Sequence, residues 1–425
     1  MEGSSRMTNS GMNSVNARRA CVFGLSLVAL ALTGCRTQDF PTYPANYREY
    51  AYVTNGGSGT VTVLDVVNVR LDREVLVGQN PVAVAASSTR NEVYVVNSGA
   101  AGPTGGQAGT PGSLSVINAE NNLVAATIQL RRQPVSMEID PASDLAYVAN
   151  SGSNAISILD LKARREIAAI GAGEEPVAAR LAPDGRTLVV ANRRGNSVSL
   201  IDPATRQVRQ VFEGCPGASD AVILPDSSKA FVACSAGHQV MVLALAQPEG
   251  KPTQPGAPQT GAGKPGAGRI GPAQPDRLEA MLDVGQAPLQ LALKPDGGEL
   301  FVLNSLSDSI SEVVTNTNDV GGAYTIGSGP VRGLVSSDNS LLYVGNLHSQ
   351  EVAVYSVEDG KRAASIHVGD GPSALAFSAS GSLLFVVDSR SSDVAVVRTG
   401  TRSLFNLLST GRNPNAIAVK AFKLP

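Results

Sequence analysis

The chain has 425 residues, and its 34 lysines and arginines nearly balance its 36 aspartates and glutamates. That balance provides no polybasic surface of the kind that attracts nucleic acid, so we expect no nucleic-acid partner. Trp is absent, and Val, Ala, Leu, Gly and Ser dominate the sequence. Such a composition is typical of tightly stacked β-sheets with small residues where their faces approach.

Residues 1–34 have the pattern of an export signal. An apolar run from Cys21 to Leu32 follows two arginines, and its twelve residues are too few to span a bilayer. The run ends in Leu32-Thr33-Gly34-Cys35, which resembles the lipobox of bacterial lipoproteins. The resemblance implies cleavage before Cys35 and lipidation of that cysteine, and Arg36 after it implies the outer membrane. An ordinary secretory signal with a chance cysteine is the alternative.

Residues 35–47 are predicted to form a lipidated tether, because they contain two prolines and two tyrosines without any alternation of polar and apolar residues. We therefore expect a protein of the bacterial cell envelope. It would be an outer-membrane lipoprotein that faces the periplasm or the cell surface, with the membrane as a partner through its N-terminal lipid.

From residue 48 onward a short strand ending recurs at a fixed spacing. Its first residues lie at positions 52, 94, 147, 189, 231, 301, 343 and 385. Five of the seven steps are 42 residues, and the other two are 42 plus insertions of 11 and 28. A period near 40, filled with short alternating segments, predicts the blades of a β-propeller with four antiparallel strands in each blade.

A second series of positions, which opens the innermost strand of each repeat, has the same period. Its members are Pro81, Pro134, Pro176, Ala218, Pro288, Pro330, Pro372 and Pro414. The first repeat lacks this strand, whereas the segment from Pro414 to Val419 has no further strands after it. We predict that this last strand joins the first blade and closes the ring. Both series predict an all-β, eight-bladed propeller over residues 48–425.

Two insertions interrupt the period. Ser98 to Gly112 is rich in Gly and lies between a second and a third strand. Gln247 to Asp276 is a Pro/Gly/Gln segment of low complexity between a third and a fourth strand, and we predict that it is disordered.

The repeated Tyr-Val-x-Asn ending, as in Tyr52-Val53-Thr54-Asn55, is followed by strands such as Ser197 to Asp202. Together with the Gly-x-x-Pro segments, such as Gly78 to Pro81, it resembles the YVTN β-propeller repeat family over roughly residues 48 to 421. Members of that family are commonly seven-bladed, so seven blades is the alternative count. The resemblance implies an exported or surface-associated protein, and the fold alone does not set its function.

The asparagines that end the second strands could be mistaken for a ring of ligands. Asn suits a position where a strand meets a turn, because it bonds its own backbone and tolerates left-handed conformations. We therefore interpret these asparagines as structural.

The innermost strands border the central channel, and the residues two and four positions after the proline share one face. Most of these residues are small, as close blade packing requires. Five successive blades carry polar exceptions: Glu138, Arg180, Asp220, Gln290 and Arg332. A charge on an inner strand must be paired or hydrated. These residues form either inter-blade salt bridges, for instance between Glu138 and Arg180, or a patch that binds a small anionic or zwitterionic ligand.

After export, Cys215 and Cys234 are the two cysteines that remain free of lipid. An oxidising periplasm permits them to pair, and a hairpin between them would bring them to one face, so we predict a structural disulfide. The three histidines lie in different repeat phases, and the sequence lacks a haem-attachment motif and a P-loop. We therefore expect no catalytic residues, no metal site and no cofactor.

These observations favour a non-enzymatic, lipid-anchored propeller that acts as a binding scaffold for an envelope protein, peptide or polymer and is monomeric. The alternative is a hydrolase or lyase with its site at the central channel, since some related propellers resemble sugar-lactone hydrolases. Glu138, Asp220 and His238 would then be the candidate groups.

Overall fold

A computed structural model of the chain describes residues 43–100, 109–247 and 274–424. The predicted signal peptide, the lipidation site Cys35 and most of the tether lie outside the described residues. So do residues 101–108 and 248–273 of the two insertions. Within the described ranges the regular structure is 32 β-strands and one 3-10 turn at Ser151–Ser153. None of the described residues belongs to a helix that is long and apolar enough to cross a membrane.

The strands form eight antiparallel sheets of four strands each. The first blade contains β1 (Tyr47–Asn55), β2 (Thr60–Asp65), β3 (Arg70–Leu76) and the last strand of the chain, β32 (Pro414–Lys423). The second contains β4 (Pro81–Ala86), β5 (Glu92–Asn97), β6 (Pro111–Asn118) and β7 (Leu123–Arg132). The third contains β8 (Pro134–Asp140), β9 (Leu145–Asn150), β10 (Ala155–Asp160) and β11 (Arg165–Gly171). The fourth contains β12 (Pro176–Leu181), β13 (Leu188–Asn192), β14 (Ser197–Asp202) and β15 (Gln207–Glu213).

The other four blades repeat this order. The fifth contains β16 (Ala218–Ile223), β17 (Lys229–Cys234), β18 (Gln239–Ala244) and β19 (Arg277–Asp283). The sixth contains β20 (Pro288–Leu293), β21 (Glu299–Asn304), β22 (Ser309–Val314) and β23 (Asp319–Thr325). The seventh contains β24 (Pro330–Val335), β25 (Leu341–Asn346), β26 (Glu351–Ser356) and β27 (Lys361–His367). The eighth contains β28 (Pro372–Phe377), β29 (Leu383–Asp388), β30 (Asp393–Arg398) and β31 (Ser403–Ser409).

The predicted eight-bladed architecture is confirmed, and the alternative count of seven is wrong. The predicted closure is confirmed as well, because β32 pairs with β1 from Tyr47↔Lys423 to Asn55↔Pro414. Tyr47 belongs to β1, so the propeller begins one residue before the predicted start at residue 48. The two ends of the chain thus complete one sheet.

The core consists of apolar layers between neighbouring blades. Eight clusters of buried side chains occur among the described residues, one for each pair of adjacent blades. The cluster between the eighth and first blades joins Phe385 and Val387 to Val53 and Leu64. Seven of the eight strand endings open with an aromatic residue, and the fourth opens with Val189. The seven rings are among the largest fully buried side chains, and burying one such ring contributes about 1.5–3 kcal/mol. Both faces of every blade are therefore covered by its neighbours.

Each blade runs outward from the central channel. The first strands of adjacent blades contact one another around the channel, whereas fourth strands such as β15 are mostly exposed. The channel-side edge of each first strand has no neighbouring strand to pair with. Its backbone groups therefore need other partners.

The predicted insertion 247–276 includes residues that belong to the fifth blade. Asp276 is buried and receives two hydrogen bonds from Arg209 on β15, at 2.5 and 2.9 Å. It also accepts a hydrogen bond from the backbone N–H of Ala246 at 2.7 Å, and Gln247 forms a β-bridge with Gln274. A buried carboxylate is tolerated because it is paired in this way. The ends of the segment are thus ordered, contrary to the predicted boundaries.

Removal of residues 410–425 deletes β32, and we expect loss of the cooperative fold. The deletion leaves one edge of β1 unpaired and uncovers the apolar layer between the eighth and first blades. Thermal unfolding followed by circular dichroism, together with limited proteolysis, measures the effect. A variant that ends at Lys423 keeps the whole of β32 and should melt with the wild type. A shortened chain that retains a sharp wild-type transition would show that closure is dispensable.

Candidate functional site

Each innermost strand carries a β-bulge directly after its first residue. In β24, Pro330 pairs with Asn346 and Arg332 pairs with Gly345, so Val331 is the extra residue. The innermost strands of the other seven blades show the same register shift. A bulge re-aims the side chains around it. Two consecutive residues of an innermost strand can therefore line the channel.

A cavity of about 420 Å³ lies at the end of the channel where the innermost strands begin. Four of the five predicted channel residues line this cavity, namely Arg180, Asp220, Gln290 and Arg332. Glu138 is not among its lining residues. The other lining residues are Val135, Ser136, Val177, Ala178, Arg193, Ser219, Leu289, Val331, Leu347 and Ser373. The sequence analysis missed most of these, because alternation alone excludes the residues that the bulges turn inward.

Two of the predicted channel residues fasten one blade to the next. The Oδ2 atom of Asp220 accepts a hydrogen bond from the backbone N–H of Leu291 in the following blade, at 3.2 Å. The Oε1 atom of Gln290 accepts one from the N–H of Gly333, again in the following blade, at 2.7 Å. Both donors lie on the strand edge that faces the channel. These side chains satisfy backbone groups that would otherwise lack a partner.

The salt bridge in the channel differs from the predicted one. Arg180 pairs with Asp220, with 3.0 Å between Nη2 and Oδ1, rather than with Glu138. The Glu138 carboxylate instead accepts a hydrogen bond from the backbone N–H of Leu181 in the following blade. Burial raises the pKa of Glu138, while the positive charge of Arg180 and the Leu181 N–H oppose that rise. Glu138 therefore also links two blades.

Arg332 stands apart from the other channel residues. Its guanidinium makes no hydrogen bond or ion pair with the described residues. The side chain is accessible to water-sized molecules, and this accessible surface faces the cavity, which the channel wall surrounds. Loss of bulk solvent there and the nearby charge of Arg180 lower the pKa of Arg332, and Asp220 opposes the change. Arginine nevertheless stays charged in proteins, so its N–H donors are open to water or to a ligand in the cavity.

The asparagines that end the second strands are structural, as predicted. Asn150 donates from Nδ2 to the nearby backbone carbonyl of Val148 at 3.0 Å, whereas the expected left-handed conformation is not found at these positions. Asn192 donates from Nδ2 to the third-strand hydroxyl of Ser199 at 2.9 Å, and Asn150 has extended backbone angles, with φ −103° and ψ 90°. The left-handed residues come four positions later, as at Asn154. The same amide-to-hydroxyl bond links Asn55 to Thr62, Asn97 to Ser115, Asn150 to Ser157 and Asn304 to Ser311.

The fifth blade replaces this arrangement by a covalent bond. In the fourth blade, Gly173 lies against Asn192 so closely that an added Cβ would be 2.7 Å from the Asn192 Cγ atom. At the equivalent positions the fifth blade has Cys215 and Cys234, which form the predicted disulfide with a Cα–Cα distance of 4.8 Å. Both cysteines are fully buried. The disulfide thus takes the place of a glycine–asparagine contact.

The eighth blade has a carboxylate at the same position. Asp388 is fully buried, and its Oδ2 atom accepts a hydrogen bond from the backbone N–H of Gly369 at 3.0 Å. Burial, followed by the hydrogen bond and the charge of Asp393, raises the pKa of Asp388 to about 8. Asp388 therefore holds a proton at neutral pH, which allows the two carboxyl groups to share it.

Of the three groups proposed for the alternative hydrolase, Glu138 and Asp220 lie close enough to interact through their charges, but His238 does not line the cavity with Asp220. His238 accepts a hydrogen bond at Nδ1 from the backbone N–H of Ala287, at 3.1 Å. Asp220 and Glu138 are engaged by the bonds described above. The described ranges contain no group of three or more His, Cys, Asp or Glu residues placed to hold a metal ion.

Replacing Cys215 by Gly and Cys234 by Asn together should restore the glycine–asparagine contact in the form found in the seventh blade. Asn346 there donates to the backbone carbonyl of Ile326 at 3.2 Å, because Ala353, like Met241 in the fifth blade, provides no hydroxyl. We expect this double variant to remain folded and to lose at most about 3 kcal/mol, the stabilisation that a cross-link across 19 residues contributes. Urea unfolding measures the difference. The single variants C215S and C234S, which bury an unmatched thiol or hydroxyl, should be less stable than the double variant. The reverse order would show that the two contacts are not equivalent.

Asp388 should make the folded state less stable as the pH rises. Its folded pKa of about 8 exceeds the usual value of 3.8, so between these values the folded chain holds a proton that the unfolded chain releases. The contribution of Asp388 to the free energy of unfolding should therefore be complete below about pH 4 and should decrease from there to about pH 8. The variant D388N, which matches the other blades, should remove this slope and be more stable at pH 9 by roughly 2 kcal/mol or more. Urea unfolding across this pH range, with the exposed-site variant D359N as control, measures it.

The described fold can be compared with solved structures. Dihydro-heme d1 dehydrogenase NirN in complex with DHE is similar at a TM-score of 0.66 and 13% identity, over 89% of this chain and 76% of that one. Citrobacter koseri AztD is similar at a TM-score of 0.60 and 12% identity, over 89% of this chain and 99% of that one. A Bacteroides uniformis protein provisionally named a 6-phosphogluconolactonase gives 0.56 and 13%, over 88% and 99%. At these identities the likeness shows a shared fold alone.

The sequence itself matches no family model and no curated protein. The resemblance to the YVTN repeat family and the lipoprotein signal therefore stay predictions from the sequence. The comparisons support the coarser conclusion that the chain belongs among the propeller proteins, whose named activities differ from one another.

Proposed function

We propose that this protein is a non-enzymatic, lipid-anchored β-propeller of the bacterial cell envelope that binds an anionic group at the mouth of its channel. The observation that carries the proposal is the guanidinium of Arg332, which faces a cavity of about 420 Å³ without a hydrogen-bonding partner among the described residues. A guanidinium that faces a cavity without a protein partner can bind an anion through several of its donors at once.

The surrounding charges favour an anion as well. Arg180 and Arg193 also line the cavity, and Asp220 is its single acidic residue. Both carboxylate oxygens of Asp220 are occupied, one by Arg180 and the other by the N–H of Leu291. The potential at the cavity is therefore positive, and a site of this kind attracts anions.

The lipid anchor and the location rest on the sequence. Cys35 in its lipobox-like context supports attachment to the outer membrane. A disulfide between Cys215 and Cys234 is in keeping with an oxidising compartment. We propose that the anionic group belongs to an envelope protein, peptide or polymer, or to a small molecule, and that the protein binds it as a monomer without a cofactor.

The alternative reading as a hydrolase or lyase receives no specific support from the site. A general acid or base must be free to exchange a proton with a substrate. Glu138 and Asp220 instead hold backbone groups of the following blade, and His238 holds the N–H of Ala287. We therefore do not advance a catalytic role.

The variant R332Q tests the proposal. Isothermal titration with a panel of anions, including acetate, benzoate, phosphate and citrate, should detect at least one that binds the wild type. Affinity for that anion should fall about tenfold or more in R332Q, because a hydrogen bond to a charged group contributes about 1.5–3 kcal/mol.

The control for this experiment is R70Q, which removes a largely exposed guanidinium on β3 that pairs with Asp65 away from the cavity. Its affinity should equal that of the wild type. Absence of binding by every anion in the panel, or equal loss in R70Q and R332Q, would contradict the proposed function.

A further inference from the structure

The wall of the cavity is apolar around its charged groups. The bulged residues Val135, Val177, Leu289 and Val331 line it, together with Leu347 from the loop after β25. Leu289 is 38% exposed although it is a large apolar residue on an innermost strand. We call these five side chains the apolar collar. They offer an anionic ligand a surface that water solvates poorly.

The charges at the cavity are largely matched within the protein. Arg180 is paired with Asp220 at 3.0 Å, and Arg193 is paired with Glu175 at 3.2 Å. Arg332 is left as the guanidinium without a partner among the described side chains. Asp220 acts on Arg332 through its charge, and it would repel a second negative charge on a ligand. The site is therefore suited to one anionic group rather than to a polyanion.

The hydrogen-bonding groups near Arg332 are also largely in use. The Nε2 atom of Gln290 donates to the backbone carbonyl of Leu291 at 2.8 Å. The hydroxyl of Ser219 lies 3.1 Å from the carbonyl oxygen of Pro288. The hydroxyl of Ser136, another lining residue, has no partner among the described residues, but its oxygen is buried in the wall. Few further donors are thus accessible for the extra oxygens of a phosphate or a sugar. A planar carboxylate, in contrast, matches the fork of one guanidinium with two parallel hydrogen bonds.

We propose that the ligand of the channel is a monocarboxylate with an apolar body, which enters with its carboxylate on Arg332 and packs its apolar body against the collar. This inference rests on the proposed function and specifies its ligand class. The same chemistry is provided by a free aliphatic or aromatic acid and by the C-terminal carboxylate of a peptide that ends in an apolar residue.

The direct experiment is isothermal titration of the full exported protein with acetate, hexanoate, hexanamide, phosphate and citrate. Hexanoate should bind at least roughly tenfold more tightly than acetate, because its additional methylene groups are buried against the collar. Hexanamide, which has the same body without the charge, should bind at least roughly tenfold more weakly than hexanoate. Tighter binding of phosphate or citrate than of hexanoate would overturn this inference and leave the proposed function standing. Binding of none of these anions would overturn both.

Two variants test the roles of Arg332 and of the apolar collar separately. In R332Q the affinity for hexanoate and acetate should fall together, about tenfold or more. In L289S, which alters a partly exposed collar residue, hexanoate should lose affinity severalfold while acetate is unchanged. R70Q should match the wild type with both ligands. Equal losses for acetate and hexanoate in L289S would contradict the role of the collar.

Thermal unfolding of R332Q without ligand gives a second, independent measurement. If the guanidinium of Arg332 only stabilised the fold, its removal should lower the melting temperature. A guanidinium that is held without a partner for a ligand should leave the melting temperature equal or higher when it becomes glutamine. A lower melting temperature in R332Q, together with unchanged hexanoate binding, would overturn the proposal.

A pair of tetrapeptides with an apolar last residue distinguishes the two sources of the carboxylate. One has a free C-terminus and the other is amidated. Tighter binding of the free peptide than of hexanoate, with loss on amidation, supports a peptide C-terminus as the ligand. Binding of hexanoate without binding of either peptide supports a small acid.

Discussion

The structure depends on the requirement that a sheet with two apolar faces must be covered on both sides. A single four-stranded blade of this chain cannot meet that requirement, because its second and third strands are buried on both faces. Repeated blades cover one another on both faces only when they form a closed ring. The pairing of β32 with β1 creates the layer between Phe385 and Val53, so every blade has two neighbours. Closure is therefore the condition under which the other layers are stable.

Closure solves the problem of the faces but leaves the inner edges unpaired. The first strand of each blade presents backbone N–H groups toward the channel, and side chains of the preceding blade bind some of them. Asp220 and Gln290 do so for Leu291 and Gly333. Most of the polarity of the channel is consequently part of the framework. A functional interpretation is warranted only for a polar group that remains after these framework bonds are assigned.

The sequence predicts the number, phase and closure of the blades, because these follow from periodicity that eight copies reinforce. It also places Cys215 and Cys234 together, since their repeat positions adjoin in one hairpin. It does not reveal the bulge after the first residue of each inner strand. The bulge is a shift in strand pairing, and no particular residue type marks it in the sequence. Nor does it decide that Arg180 pairs with Asp220 rather than with Glu138, because three charged side chains compete within one small space.

Substitutions between equivalent blade positions explain why Arg332 is unusual. The disulfide of the fifth blade and Asp388 of the eighth replace a glycine–asparagine contact, and each forms a new bond at the same place. Arg332 occupies a position at which four other blades have alanine, yet it forms no bond with the described residues. A fold that selects residues for mutual contact gains nothing from a charge that contacts no partner. The proposed bond to an anionic ligand is our explanation for this guanidinium.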